Sequence, residues 1–439
     1  MLSRGVTAVI AAAGMLVASG GVIAAPAGAA TRYCQGKLVT IEATSSGTTV
    51  NGTEGPDVID GVGRVRLTIN GLGGDDVICT GPGYQVVVHG GEGNDSLMTQ
   101  PGGAQLGERT TLYGEAGDDV LRLGPASAGE RAGSSPVADG GEGDDEIVVD
   151  SVSASVFPGP GDDAIVGAGS TTVIFGGTAG VRIDVAAGVA DGEGHDTFSG
   201  ADRFVGTPGP DHFIGSERDE EFYSGGGEDV VEGGGGNDTL QVQRGTVDGG
   251  AGDDRLYLDA GTLSGGEGDD RLSLEGAGTA SGGAGDDSLR VTRHQAQSQD
   301  VVDARGDAGD DQIRLEYDGT GWAAVCRAAA CRTDVDGGTG RDLLSFFRTS
   351  TGVSVDLRAG RATYTSARML VRAIEDVDGT KHDDTLRGDA RSNQLQGRAG
   401  DDVLSGRAGA DRLIGDAGRD RVDGGSGADR CEGEVLRSC

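Results

Sequence analysis

Aromatic side chains are scarce in this chain. They make up 4% of its 439 residues, with one tryptophan, Trp322. A thick globular core built on large rings is thereby excluded. Lysine occurs only at Lys37 and Lys381, so arginine carries nearly all the positive charge. That charge falls far short of the negative: 36 Lys+Arg stand against 71 Asp+Glu, a net charge of −35. Nucleic acid and anionic membranes are poor partners for such a surface, and multivalent cations are good ones. Helical apolar patterning is nearly absent, with Ser366–Val371 the one weak candidate. Beyond residue 30 no apolar run approaches a membrane span.

Catalytic signatures are missing too. There is no HExxH, no G-x-S-x-G elbow and no phosphate loop ending in Gly-Lys-Ser/Thr. GxGxxG matches follow from glycine content alone, since no βαβ pattern accompanies them. Asp334–Val335–Asp336–Gly337 hints at an EF-hand but lacks its ligand spacing. His195 and His382 read as turn residues. An ice-binding ladder would need threonine ranked at one repeat position, which is not seen.

What is abundant is glycine, 85 residues of it, arranged in a phrase. Gly265–Gly266–Glu267–Gly268–Asp269–Asp270–Arg271–Leu272 returns as Gly282–Gly283–Ala284–Gly285–Asp286–Asp287–Ser288–Leu289. Roughly twenty exact or degraded copies mark a repeat architecture. At the C-terminal end the motif starts at Gly379, Gly388, Gly397, Gly406, Gly415 and Gly424, a strict nine-residue period. Gly52, Gly71 and Gly90 are nineteen apart, close to twice nine. Nine residues make one tight turn and one short strand, and two such units make one flattened coil. A period near eighteen thus puts motif turns on one edge of the coil, and a period of nine puts them on both. Runs such as Leu256–Tyr257–Leu258 and Ile147–Val148–Val149 supply the strands. The expected fold is all-β, a parallel β-roll or β-solenoid of glycine-rich turns and short strands.

The chemistry of the phrase points to calcium, a hard cation that takes six to eight oxygen ligands, carboxylates and backbone carbonyls among them. Glycine at positions one, two and four permits the bend, and aspartate at position six offers the carboxylate. Solubilising Gly-Asp turns are the bland reading of one copy, but not of an aspartate fixed at position six through so many. Magnesium fits less well, since it demands a small octahedron.

The phrase resembles the nonapeptide G-G-x-G-x-D-x-U-x of RTX (repeats-in-toxin, haemolysin-type) calcium-binding proteins, U being a large aliphatic. The resemblance covers most of the chain after residue 30. It implies a parallel β-roll with Ca2+ in its turns, the carboxylates being Asp76, Asp95, Asp119, Asp145, Asp163, Asp238, Asp254, Asp270, Asp287, Asp311, Asp384, Asp402, Asp411, Asp420 and Asp429. Weaker copies would add Asp57, Asp196, Asp211, Asp229 and Asp342. Asn393 replaces the aspartate of one copy, weakening or emptying that site, and Arg398, Arg407 and Arg419 place positive charge inside C-terminal motifs, where it opposes an ion.

Five segments are expected. Residues 1–30 read as a signal peptide, with Arg4, an apolar stretch from Val6 to Val17 and small residues at Ala27–Gly28–Ala29; a membrane anchor is the rival reading. Residues 31–177 form a first array. Residues 178–314 hold a strand-rich lead-in module and a second array. Residues 315–378 form a motif-poor insertion and a second lead-in, and 379–439 the nonapeptide array with a cysteine-bounded end. The two lead-ins are an internal repeat: Val181–Arg182–Ile183–Asp184–Val185 corresponds to Val353–Ser354–Val355–Asp356–Leu357.

Six cysteines behind a signal peptide favour disulfides, and their placement suggests Cys34 with Cys79, Cys326 with Cys331 and Cys431 with Cys439, out of fifteen possible pairings. A zinc site is disfavoured because no CxxC pair is present. The expectation is a secreted, extracellular, non-enzymatic calcium-binding protein. The alternative is an extracellular polysaccharide- or protein-modifying enzyme with its site on the solenoid or in residues 315–372.

Overall fold

The computed structural model describes residues 32–81, 85–100, 110–124, 136–150, 153–293, 301–317, 332–347, 349–364 and 367–439. The signal-peptide segment, Trp322 and the Cys326–Cys331 pair lie outside these residues. Among the described residues there is no helix. The weak helical candidate is instead a strand, Ala367–Arg372. Its Met369 and Val371 alternate inward while Arg368 and Arg372 do not, which is the two-residue period of a strand.

The chain winds as a flattened parallel solenoid with two faces. Face A begins with Thr49–Asn51, Leu67–Gly73, Val86–Glu92, Thr110–Ala116 and Val137–Glu142, each paired in parallel with the next. Face B begins with Ile41–Glu42, Val58–Gly61, Val77–Thr80, Ser96–Thr99, Val120–Leu123 and Glu146–Val149, stacked likewise. The chain crosses from A to B at one edge and returns from B to A at the other.

The aliphatic residue that follows each motif turn points inward and sits in register with its counterparts. On face B, Ile59, Ile78, Leu97, Leu121, Ile147 and Ile165 form one ladder. On face A, Leu240, Leu256, Leu272, Leu289, Ile313 and Leu344 form another, each at most 2% exposed. The core is one side chain thick on each face, so it needs no rings and can lengthen without limit. This accounts for the low aromatic content.

The two lead-in copies fold alike. In the first, Arg182–Asp184, Val189–Asp191 and the start of His195–Val205 form an antiparallel meander on face B. In the second, Val353–Asp356, Arg361–Tyr364 and Ala367–Arg372 do the same. Each meander inserts one reversed strand between parallel coils. The rings collect here: Phe198, Phe204, Phe213 and Phe222 form a continuous stack with centroids 3.9–5.7 Å apart, and Tyr364 and Phe346 are buried near the second copy. Larger side chains fill the extra volume that the reversed strand opens.

Two disulfides are present among the described residues, Cys34–Cys79 and Cys431–Cys439, at the two ends of the solenoid.

Candidate metal-binding edges

The motif aspartates line up along the coil edges. Asp57, Asp76, Asp95, Asp119, Asp145, Asp163 and Asp196 form a row on the A-to-B edge, each backbone N–H donating to Oδ1 of the next at 2.7–3.1 Å. Asp238, Asp254, Asp270, Asp287, Asp311 and Asp342 form an equivalent row, at 2.8–3.0 Å, on the opposite edge. At the C-terminal end both edges are used: Asp384, Asp402 and Asp420 on one, Asn393, Asp411 and Asp429 on the other. The spacing argument foresees one row in the long-period arrays and two in the nonapeptide array. It does not foresee that the first and second arrays use opposite edges. The signal was present in Gly206, Gly215, Ser224 and Gly233, a second nine-residue run. Its turns carry Asp211, Glu220, Asp229 and Asp238 on alternating edges, with Asp211 donating to Asp229 and Glu220 to Asp238. An odd number of nine-residue steps moves the row across. Glu220, fully buried, was missed because the motif expects aspartate at that place.

Within a turn, the carboxylate has two fates. Oδ1 is occupied by the N–H of the neighbouring coil. Oδ2 faces inward over position one. A Cβ placed on Gly265 would lie 2.2 Å from Asp270 Oδ2 and 2.3 Å from the carbonyl oxygen of Gly282 in the next coil. Two oxygens thus face one point, and nothing donates to Asp270 Oδ2. Position two of this turn, Gly266, is left-handed (φ +121°), and a Cβ there would meet the Gly250 carbonyl oxygen at 2.0 Å. Sixteen motif carboxylates have such an Oδ2, buried and without a hydrogen-bond partner: Asp76, Asp95, Asp119, Asp145, Asp163, Asp229, Asp238, Asp254, Asp270, Asp287, Asp311, Asp342, Asp402, Asp411, Asp420 and Asp429. In every one of these turns position two is left-handed, including the non-glycine cases Leu72, Glu115, Asp307, Arg398, Arg407 and Asp416.

A second kind of turn closes on itself. Where position two is a polar residue outside the left-handed region, its own N–H donates to the position-six side chain: Thr53 to Asp57 at 2.7 Å, Thr207 to Asp211 at 2.9 Å, Ser216 to Glu220 at 3.1 Å, Thr380 to Asp384 at 2.6 Å and Asp389 to Asn393 at 2.9 Å. The hydroxyls of Thr53, Thr207, Ser216 and Thr380 donate to the same carboxylates. Asp384 therefore differs from the other aspartates expected as ligands: its Oδ2 already accepts the N–H of Thr380, which stands where the motif has glycine. Asp196 belongs to neither kind and lies at the start of the third strand of the first meander, paired with Ala190.

Burial pushes most of the open-turn carboxyls upward. Desolvation lifts Asp76, Asp95 and Asp254 to about 6, Asp119, Asp145 and Asp270 to about 7, and Asp238 to about 8, with the neighbouring aspartates adding to the rise and the cross-coil N–H opposing it. These groups resist carrying their charge in the absence of a counter-ion. The arginines inside C-terminal motifs are turned toward other acids. Arg398 pairs with Asp378 at 2.7 Å, and Arg407 pairs with Asp356 and donates to the Gly388 carbonyl oxygen. Arg419 continues a ladder of position-five residues by donating its N–H to Asp401.

No group of three or more His, Cys, Asp or Glu side chains converges among the described residues. A cation on these edges would be held by single carboxylates and backbone carbonyls, an oxygen set that suits calcium and not zinc. A family model described as the RTX calcium-binding nonapeptide repeat (4 copies) matches residues 68–84, 111–125, 196–240, 246–262, 262–276, 378–413 and 405–434. The chain carries RTX-type calcium-binding nonapeptide repeats. No curated protein sequence matches it. The RTX matches leave out Asp95, Asp145, Asp163, Asp287, Asp311 and Asp342, yet these have the same orphaned Oδ2 as the matched copies. The RTX geometry therefore runs further along the chain than the sequence match.

Proposed function

We propose that this protein is secreted and acts outside the cell as a calcium-ordered structural or interaction element, without catalysis of its own. The observation that carries the reading is the set of sixteen buried carboxylate oxygens without a donor. Burying a polar atom without a partner costs on the order of 1–3 kcal/mol, and more for a charge. Repeated along both edges, that cost opposes folding until cations fill the turns, so folding and metal binding become one process. One divalent ion per open turn would bring about thirty positive charges, nearly offsetting the net charge of −35.

Export is supported by the N-terminal apolar segment and by two disulfides, which persist in oxidising compartments. Extracellular calcium, at the millimolar level typical for such modules, would then switch the chain to its compact form on release. A non-enzymatic role is supported by the use of the motif carboxylates as turn ligands. The shallow depression by the second meander, lined by Thr351, Val353, Ser354, Thr363, Asp383 and Thr385, offers one carboxylate and no partner base.

The test is circular dichroism and gel filtration of the chain from residue 31 onward in chelator, then calcium, then magnesium. Calcium should raise the β signal and shrink the radius, and magnesium should do so weakly. A spectrum and radius unchanged across all three would overturn the reading.

A further inference from the structure

The closed turns are not scattered. Asp57 is the first motif turn of the first array. Asp211 and Glu220 follow directly after the first antiparallel meander, one on each edge, and Asp384 and Asn393 follow directly after the second, again one on each edge. Every array thus opens with closed turns and continues with open ones.

We infer that position two of the motif decides whether a turn takes a cation, so that the sixteen open turns are metal sites and the five closed turns hold none. The inference rests on the calcium-binding reading and adds which turns take part. In a closed turn the position-two N–H occupies the oxygen that an open turn leaves bare, and where position two is Thr or Ser its hydroxyl donates to the same carboxylate. At Asp384, Thr380 supplies both donors and Val353 N–H, from the first strand of the meander, donates to Oδ1 at 2.7 Å. Asp211 repeats the arrangement with Thr207 and Val181. A cation there would have to displace these donors. Asn393 shows the end point: its carbonyl accepts from Asp389 N–H, its Nδ2 donates to the Glu375 carbonyl oxygen, and no charge is left to neutralise.

The placement has a physical reason. A cation between coils draws oxygens from two stacked turns, so the first turn after a meander lacks a like neighbour on one side. Hydrogen bonds from its own position two, and from the meander strand, substitute for the missing coil. The meanders and their closed turns then form calcium-independent starting platforms on which the calcium-dependent coils stack.

Two measurements test this. Crystals of the chain from residue 31 onward, grown in calcium and measured at a long wavelength, should show anomalous calcium peaks at open turns and none at the five closed ones. A peak at Asp211 or Asp384 equal to that at Asp270 would overturn the inference. Peaks at no turn would instead overturn the calcium-binding reading beneath it. In solution, bound calcium per chain should be unchanged in the triple variant Asp57→Asn/Asp211→Asn/Asp384→Asn and lower by about three ions in Asp254→Asn/Asp270→Asn/Asp287→Asn. Equal losses in both would also overturn it.

Discussion

At the scale of single residues, the aspartate at position six does two jobs with its two oxygens. Oδ1 fastens one coil to the next through a backbone N–H, which needs an acceptor but not a charge. Oδ2 faces a carbonyl oxygen of the next coil, which is unfavourable for both unless a cation lies between them. An asparagine separates these roles, because its amide oxygen can keep accepting the cross-coil N–H while its Nδ2 donates to the carbonyl oxygen that Oδ2 faces. Asp270→Asn is therefore expected to make the calcium-free chain more compact and to raise, by several-fold, the calcium concentration at which folding is half complete. A calcium titration followed by far-UV circular dichroism reads both effects. A variant that loses structure in chelator relative to the parent would contradict the account of Oδ2.

At the scale of elements, each coil is held by its inward aliphatics and by its two neighbours. Leu272, 2% exposed, is paired with Leu256 on one side and Leu289 on the other. Leu272→Ala should destabilise by about 2–5 kcal/mol. Because each repeat touches only its neighbours, the loss should remain local. Hydrogen exchange in calcium should accelerate across residues 255–293 and leave residues 58–80 unchanged. Uniform acceleration would show a more cooperative array than the stacking implies. The strands and turns of these coils were legible in the sequence because one phrase encodes turn, carboxylate and core position together. The parallel stacking was legible for the same reason, since coil length fixes which residues lie above one another; Cys34 with Cys79 was expected from their placement in the chain alone, and the bond joins a separate antiparallel hairpin to the solenoid. The meanders were visible as an internal repeat but not as reversed strands, since alternation reads the same in either direction. Ala367–Arg372 was misread because Met369, Leu370 and Val371 form an apolar cluster too short to reveal its period. The closed turns escaped because a threonine for glycine at position two looks like decay of the motif, whereas Thr380 and Thr207 bring donors of their own.

At the scale of the whole molecule, protons and calcium compete for the same edges. In the absence of metal, desolvation raises open-turn carboxyls such as Asp76, Asp119 and Asp238 from an ordinary value near 4 to about 6, about 7 and about 8. A group whose folded pKa lies above its unfolded value contributes its full stability below the unfolded value and loses it as the pH climbs through the folded one. Metal-free folding should accordingly be favoured near pH 4, fade between about pH 4 and pH 8, and be lost above that range. Calcium reverses the slope, since it needs the carboxylates ionised. Small-angle scattering in chelator should thus give a compact chain at pH 4.5 and an expanded one at pH 8, while calcium should restore the compact form at pH 8 and matter little at pH 4.5. A chelated chain of the same radius at both pH values would show that the buried aspartates are not what makes its folding depend on an ion.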